Sequence, residues 1–444
     1  MTTAVPLAEA RAIIAALRTG VVPASGLHHF ATGLDDLLAV VRTELDEVAS
    51  GTGSGRVKWI RGPYGSGKTF AARLLCAEAQ AHGFATTQVQ ISVTDTPLGR
   101  LETVYRRLME RLATATHTPS AFPAIVDGWL YVLGDEVTRL QGIGEDDPAF
   151  AAAVEARLEH CFTSLSRSNP TFARVLQAYH TAQSAGDFAS AQALLAWLSG
   201  DPSVAAAVKR LADVRGEVDG PAALAFLRGV AQVIRSGGYR GLVLVLDEVE
   251  TVQRMRSDSR ERALNALRQL VDMLLGGDLP GVYLIVTGTP DFFDGHHGLR
   301  ALPPLAARVT TRFGDDPRHD NLRAPQVRLQ PFDAARLTAV AHRVRALYPA
   351  TAPQRVAARV DDGFIDGLVA RTTTAFGGQV AIAPRIFLRE LVDVMDRVDL
   401  HPDYDPARDY AFTVADDDLT PEELAAARAQ PPDADAPAAP HRLS

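Results

Sequence analysis

The chain has 444 residues, with 45 Lys and Arg against 53 Asp and Glu, 47% hydrophobic residues, 22% charged residues and 2 Cys. That length and apolar fraction suit two or three domains with a large core, and they exclude a small disulfide scaffold. The net charge of −8 is unevenly placed: from Asp399 onward eleven acids face three bases, so the residues before it carry 42 of each and are neutral on balance. Cys76 and Cys161 lack paired spacing, which reads as buried thiols in a reducing compartment rather than a metal or redox site. No stretch approaches the roughly 18 uncharged apolar residues of a membrane span. Glu9, Arg11 and Arg18 interrupt the first helical pattern, which argues against a signal peptide. The expectation is a cytoplasmic protein with no membrane partner.

In chain order, residues 7–19 and 34–49 have apolar positions at helical spacing, separated by a turn-prone segment with Pro23, Gly26 and Gly33. GTGSG at 51–55 reads as a linker. Val57, Trp59 and Ile60 predict a short strand ending at Gly62, and Thr69–Ala81 a helix. A β-prone run over 85–92 follows a stop at Gly83, and 101–112 is again helical; this alternation begins a parallel sheet. The next strong strand pattern, GLVLVLDE at 241–248, lies far downstream. Lys68 and Asp247 are 179 positions apart, whereas one strand–helix–strand unit needs only about 30 residues. The intervening Ala-, Leu- and Arg-rich stretch, 113–235, predicts an all-helical insertion of four to six helices, with Trp129, Trp197 and a helical-hairpin pattern at 172–201.

Further on, a polar, Arg-rich helix is expected over 250–275, a strand in GVYLIVTGTP at 281–290, and a weaker one in QVRLQ at 326–330. Residues 332–347 and 361–398 look helical. Beyond Pro402 the Pro, Ala and Asp content predicts a largely disordered tail with one short helix over 421–429. The expected organisation is an N-terminal helical segment (1–55), an α/β core (56–330) holding the insertion, a helical lid (331–400) and an acidic tail (401–444).

Gly62-Pro63-Tyr64-Gly65-Ser66-Gly67-Lys68-Thr69 satisfies G-x-x-x-x-G-K-[ST] in full, and it lies between a predicted strand and a predicted helix. In that setting glycines let backbone N–H groups turn onto phosphates, and the helix N-terminus adds partial positive charge. Lys68 would reach the β and γ phosphates of ATP, Thr69 would offer its hydroxyl to Mg2+, and Phe70 follows in the first helical turn. The apolar run LVLVLDEVE at 242–250 fits a strand buried on both faces with an acidic pair at its carboxyl end. Asp247 would hold Mg2+ through water, and Glu248 would orient the attacking water.

Thr287 and Thr289, at the end of VYLIVT, suit either contact with the γ phosphate or its water, or capping of the next turn. Arg308 and Arg312 suit either delivery of positive charge to a neighbouring subunit's nucleotide or plain solvation. Arg385, after Pro384 at a helix start, reads as a lid residue reaching over the nucleotide or as surface charge. The doublets His28-His29 and His296-His297 lack a metal-ligand pattern. Arg254, Arg256, Arg260, Arg262 and Arg268 follow the acidic strand but are mixed with Asp258 and Glu261, so a solvated helix face is the simpler reading, and any DNA contact would be non-specific and through phosphates.

The order of phosphate loop, Asp-Glu strand, Thr-tipped strand, arginines and Pro-Arg lid helix resembles the AAA+ and related STAND ATPases, especially the origin-recognition and Cdc6-type branch. That resemblance implies a P-loop NTPase fold of AAA+ type, with Thr287 as sensor 1, Arg312 as arginine finger and Arg385 as sensor 2. GLHHFATGLDDL, RGPYGSGKTF, TPLGRLETVYRRLMERL, LVLDEVETVQRMRSDSRERALNALRQLVD, VTGTPDFFDG and PRIFLRELVDVMD more closely resemble the ATP-binding proteins of bacteriophage exclusion (BREX) systems, over nearly all of residues 8–400. The family implies anti-phage defence alongside a helicase and DNA-modification components. Two expectations follow: an Mg2+-dependent ATPase that remodels DNA or a partner complex, as a homo-oligomer if the arginine acts between copies, or a slow-turnover nucleotide switch that recruits a partner.

Overall fold

A computed structural model of the chain describes residues 5–51, 54–375 and 383–411. In chain order, helices α1 (Leu7–Arg18) and α2 (Asp35–Ala49) precede strand β1 (Arg56–Arg61), helix α3 (Lys68–Ala81), strand β2 (Ala85–Gln90) and helix α4 (Leu101–Glu110). Six helices then fill the expected insertion: α5 (Phe122–Gln141), α6 (Phe150–Ser168), α7 (Pro170–Ser184), α8 (Phe188–Leu198), α9 (Ala206–Leu211) and α10 (Gly220–Ser236). Strand β3 (Leu242–Asp247), helix α11 (Ser257–Leu275), strand β4 (Val282–Gly288), helices α12 (Pro290–Asp294) and α13 (Pro303–Val309) and strand β5 (Gln326–Arg328) complete the sheet region. The last helices are α14 (Ala334–Leu347), α15 (Pro353–Arg359), α16 (Asp362–Ala375), α17 (Ala383–Leu400) and α18 (Pro406–Asp409). The Arg-rich helix expected over 250–275 starts only at Ser257, because a tight 3-10 turn occupies Val249–Arg254; Arg254 and Arg256 therefore lie outside the helix. The short helix expected over 421–429 lies outside the described residues.

Two compact units divide the chain. One comprises residues 34–61 and 71–328, and the other residues 1–33, 62–70 and 329–444 as far as they are described. In the first unit five parallel strands form a sheet in the order β2-β3-β4-β1-β5. All six residues of β3 and all seven of β4 are buried, as expected for parallel strands covered on both faces. Lys58 is the polar exception on β1. It is 1% exposed, and its ammonium bonds Glu44 Oε1 of α2 at 2.8 Å and the carbonyls of Leu322 and Ala324 at 2.9 and 3.0 Å. Glu44 Oε2 accepts the phenol of Tyr283 on β4 at 2.5 Å, so the buried pair is fully hydrogen-bonded.

The insertion shares the sheet's core. One apolar cluster runs from Trp59, Leu244 and Leu284 through Tyr105 of α4 to Phe172, Trp197 and Phe226. Phe226 meets Tyr105, Phe172 and Trp197 edge-on with ring centroids 6.2, 5.4 and 5.7 Å away. Its helices start where their sequences say they should: Asn169, Asp187 and Asp219 accept the backbone N–H three residues ahead at α7, α8 and α10, each such cap stabilising by about 1 kcal/mol.

In the second unit α1 packs on α17. Arg18 grips Asp396 with two bonds of 2.6 and 2.8 Å, and the Tyr348 phenol donates to the same carboxylate at 2.7 Å. The first residues of the chain thus belong with the C-terminal helices rather than with the sheet. Helix α18 continues this unit past Pro402, where Tyr410 donates to Glu390 at 3.0 Å.

Candidate nucleotide site

The loop Gly62–Thr69 follows β1 directly and ends inside α3, which begins at Lys68. Gly65 and Gly67 have φ of +75° and +84°, a region that side chains rarely enter, and a Cβ at Gly62 would collide with Ser66 Oγ. The Lys68 ammonium folds back onto the loop, donating to the carbonyls of Gly62 at 3.0 Å and Pro63 at 3.2 Å, and lies 5.1 Å from the Tyr64 ring centre. Ser66 is 5% exposed, and its hydroxyl has no hydrogen-bond partner among the described residues. An orphaned donor, glycines that admit no side chain and a lysine at a helix start together fit a phosphate group. Thr69, half-buried in the first turn of α3, has the hydroxyl a Mg2+ ion would use. Phe70 meets Phe30 edge-on at 5.3 Å, and the Phe332 ring flanks Gly67.

Strand register aligns the carboxyl edge of the sheet: Gln90 pairs with Asp247, Leu246 with Val286 and Arg61 with Gly288. Asp247, 2% exposed, accepts the Thr287 hydroxyl on Oδ1 and the Gln88 amide on Oδ2 at 3.1 Å. The same Thr287 oxygen accepts the backbone N–H of Glu248 at 3.1 Å. One threonine thus joins β4 to both acids. Glu248 has φ +58° and ψ +44°, a left-handed conformation costing a non-glycine residue about 1–2 kcal/mol. Its carboxylate accepts the Gln90 amide at 2.7 Å. Burial pushes the Cys76 thiol up to about 12, with the Asp247 charge adding to the effect; it is a protonated packing group. Among the described residues no cluster of three His, Cys, Asp or Glu side chains could hold a metal alone. Mg2+ retains waters and shares phosphate oxygens, so a site for it needs few protein ligands.

A family model described as "BREX system ATP-binding protein BrxC/D" matches residues 5–414. The chain belongs to the BrxC/D family. Comparison with curated proteins returns no match. Membership places this BrxC/D chain among ATP-binding proteins of a phage-defence system. No helix among its described residues is long and apolar enough to cross a membrane.

The remaining sequence candidates separate on their partners. Thr287 is fully buried, whereas Thr289 stands in front of α12 without a side-chain capping bond. Arg308 on α13 pairs with Asp272 at 2.9 Å. Arg312, in the irregular stretch beyond α13, is exposed and has no ion pair or hydrogen bond among the described residues. Arg385 lies half-buried in the first turn of α17, its aliphatic stem packed on Gly20. In the BrxC/D chain Gln88 and Gln90 were not singled out by sequence. Their signal was two glutamines at alternate positions of the β-prone run that forms the edge strand β2.

Proposed function

We propose that the chain is a Mg2+-dependent, AAA+-like ATPase that couples hydrolysis to remodelling of DNA or of a partner complex in BREX defence. The observation that carries this reading is the Thr287 hydroxyl bridging the Asp247 carboxylate and the Glu248 backbone at the edge where β1 hands the chain to a complete phosphate loop. Loop N–H groups and Lys68 bind the phosphates, with Lys68 giving up its bonds to the Gly62 and Pro63 carbonyls. Thr69 and Asp247 hold Mg2+, which when bound neutralises phosphate charge. Glu248 orients the attacking water and accepts its proton, and Thr287 fixes the Asp247 carboxylate and the Glu248 backbone. Arg385 reads the nucleotide from the lid. Arg312, unlike the paired Arg308, is available to a neighbouring copy.

A second reading is favoured by one contact. The Gln90 amide occupies one oxygen of the Glu248 carboxylate, which competes with an attacking water there, as a slow-turnover switch recruiting a helicase or DNA-modification partner requires. For Arg262, pairing with Asp258 at 3.2 Å supports a solvated helix face over a DNA contact. Steady-state turnover by Glu248→Gln tests the reading. ATP should bind as in the parent, and the rate should fall by about 10²- to 10⁴-fold; an undiminished rate would remove Glu248 from the chemistry. Lys68→Ala should abolish binding.

A further inference from the structure

Residues 310–314, Thr-Thr-Arg-Phe-Gly, form no helix or strand, yet they are tied down at three points, with a fourth tie at Val309 just before them. The Gln326 side-chain amide holds the Val309 carbonyl at 3.2 Å, and its backbone N–H donates to the Thr311 hydroxyl at 3.2 Å. Two guanidinium groups lie against the Phe313 ring, Arg61 at 5.4 Å and Arg328 at 5.0 Å from its centre. Arg328 also holds the Gly314 carbonyl at 2.7 Å. Both arginines are themselves immobilised. Arg61 donates to Gln326 at 2.9 Å, pairs with Asp294 and lies 5.4 Å from the Phe293 ring centre; Arg328 grips Asp320 with bonds of 2.6 and 3.0 Å. Within this pinned stretch Arg312 alone projects a charge into solvent without a partner among the described residues.

A solvated arginine needs no such mount, because an exposed side chain keeps its rotamer freedom at no cost. From this geometry we infer that the Arg61–Phe313–Arg328 cluster positions Arg312 for the phosphates of a nucleotide held by a second copy of the chain. This rests on the ATPase reading and adds three positioning residues to it. The cluster also has a direct covalent link to the first copy's own loop, since Arg61 precedes Gly62 in the chain. Its ring partner Phe313 adjoins Arg312. Two covalent neighbours and one stacked ring therefore join the start of one phosphate loop to the arginine offered to the next copy.

The test is complementation between copies. Phe313→Ala and, as a milder change retaining charge, Arg328→Lys should each bind ATP like the parent but turn over about 10²-fold more slowly, the loss typical of a group misplaced by about 1 Å. Phe313→Tyr, which keeps the ring, should restore the rate. Mixed with Lys68→Ala, which binds no ATP but presents Arg312 normally, Phe313→Ala should regain turnover, because its intact nucleotide site now meets a correctly mounted arginine. Arg312→Ala mixed with Lys68→Ala is the control. Recovery in the control but not with Phe313→Ala or Arg328→Lys would overturn the positioning role. No recovery in the control itself would overturn action between copies, and the two failures are thereby told apart.

Discussion

Glu248 and Gln90 carry the residue-scale consequences. Glu248 holds a left-handed backbone conformation that is free to glycine but costly to a residue with a Cβ. Strain of this kind persists where neighbouring contacts enforce it, here the bond from its N–H to Thr287. Replacing it in two ways separates backbone from carboxylate: Glu248→Gly should be more stable than Glu248→Ala by about 1 kcal/mol, while both lose turnover. Equal melting temperatures would mean that the strain is not felt. Gln90 acts in the opposite sense. A hydrogen bond to a carboxylate is worth about 1 kcal/mol or more, so Gln90→Ala should remove one restraint on Glu248 and raise basal turnover by up to about tenfold. A lower rate would instead make Gln90 a productive partner of the acid.

At the scale of elements, helix α2 is bound to the sheet by a buried charge pair as well as by apolar packing. Burial pulls the Lys58 pKa down from its ordinary value, while the Glu44 carboxylate opposes the shift. The ammonium keeps three acceptors, and no water is needed to satisfy it. Glu44→Ala would strand both Lys58 and the Tyr283 phenol, and it should destabilise by about 3–5 kcal/mol in denaturant titration. Replacing Lys58 and Glu44 together with Met and Leu should recover much of that loss, because no buried charge then remains. The helix and strand signals themselves were readable from local pattern. Apolar spacing marked α1 and α2, and the unbroken apolar runs marked β3 and β4. The start of α11 was misplaced because Glu248 to Met255 turns through left-handed and 3-10 geometry, which residue spacing does not encode.

The insertion determines the behaviour of the sheet-bearing unit as a whole. Sequence distance made it look like a guest between β2 and β3, but Tyr105, Phe226 and Trp197 make its interior continuous with the sheet's. A shared core predicts one cooperative transition. The three tryptophans report on it from both sides, Trp59 in β1 and Trp129 and Trp197 in the insertion. Single-tryptophan variants should therefore unfold with coincident fluorescence midpoints. An early transition at Trp129 and Trp197 would show an independently folding insertion.

What the sequence alone determined was local. It marked the complete G-x-x-x-x-G-K-T loop, an acid pair after an apolar run, the helical insertion and the kinship carried by long motifs. These follow from side-chain periodicity and from glycines that backbone turns require over a few residues. The tertiary structure decided which groups meet. It set β4 between β1 and β3, so that Thr287 reaches both acids, and brought Gln88 to Asp247 across 159 positions. It occupied Arg308 with Asp272, and it left Arg312 projecting from a mount built at Arg61 and Arg328. Such pairings depend on strand order and register, which are fixed by the packing of the whole sheet and not by any local run of residues.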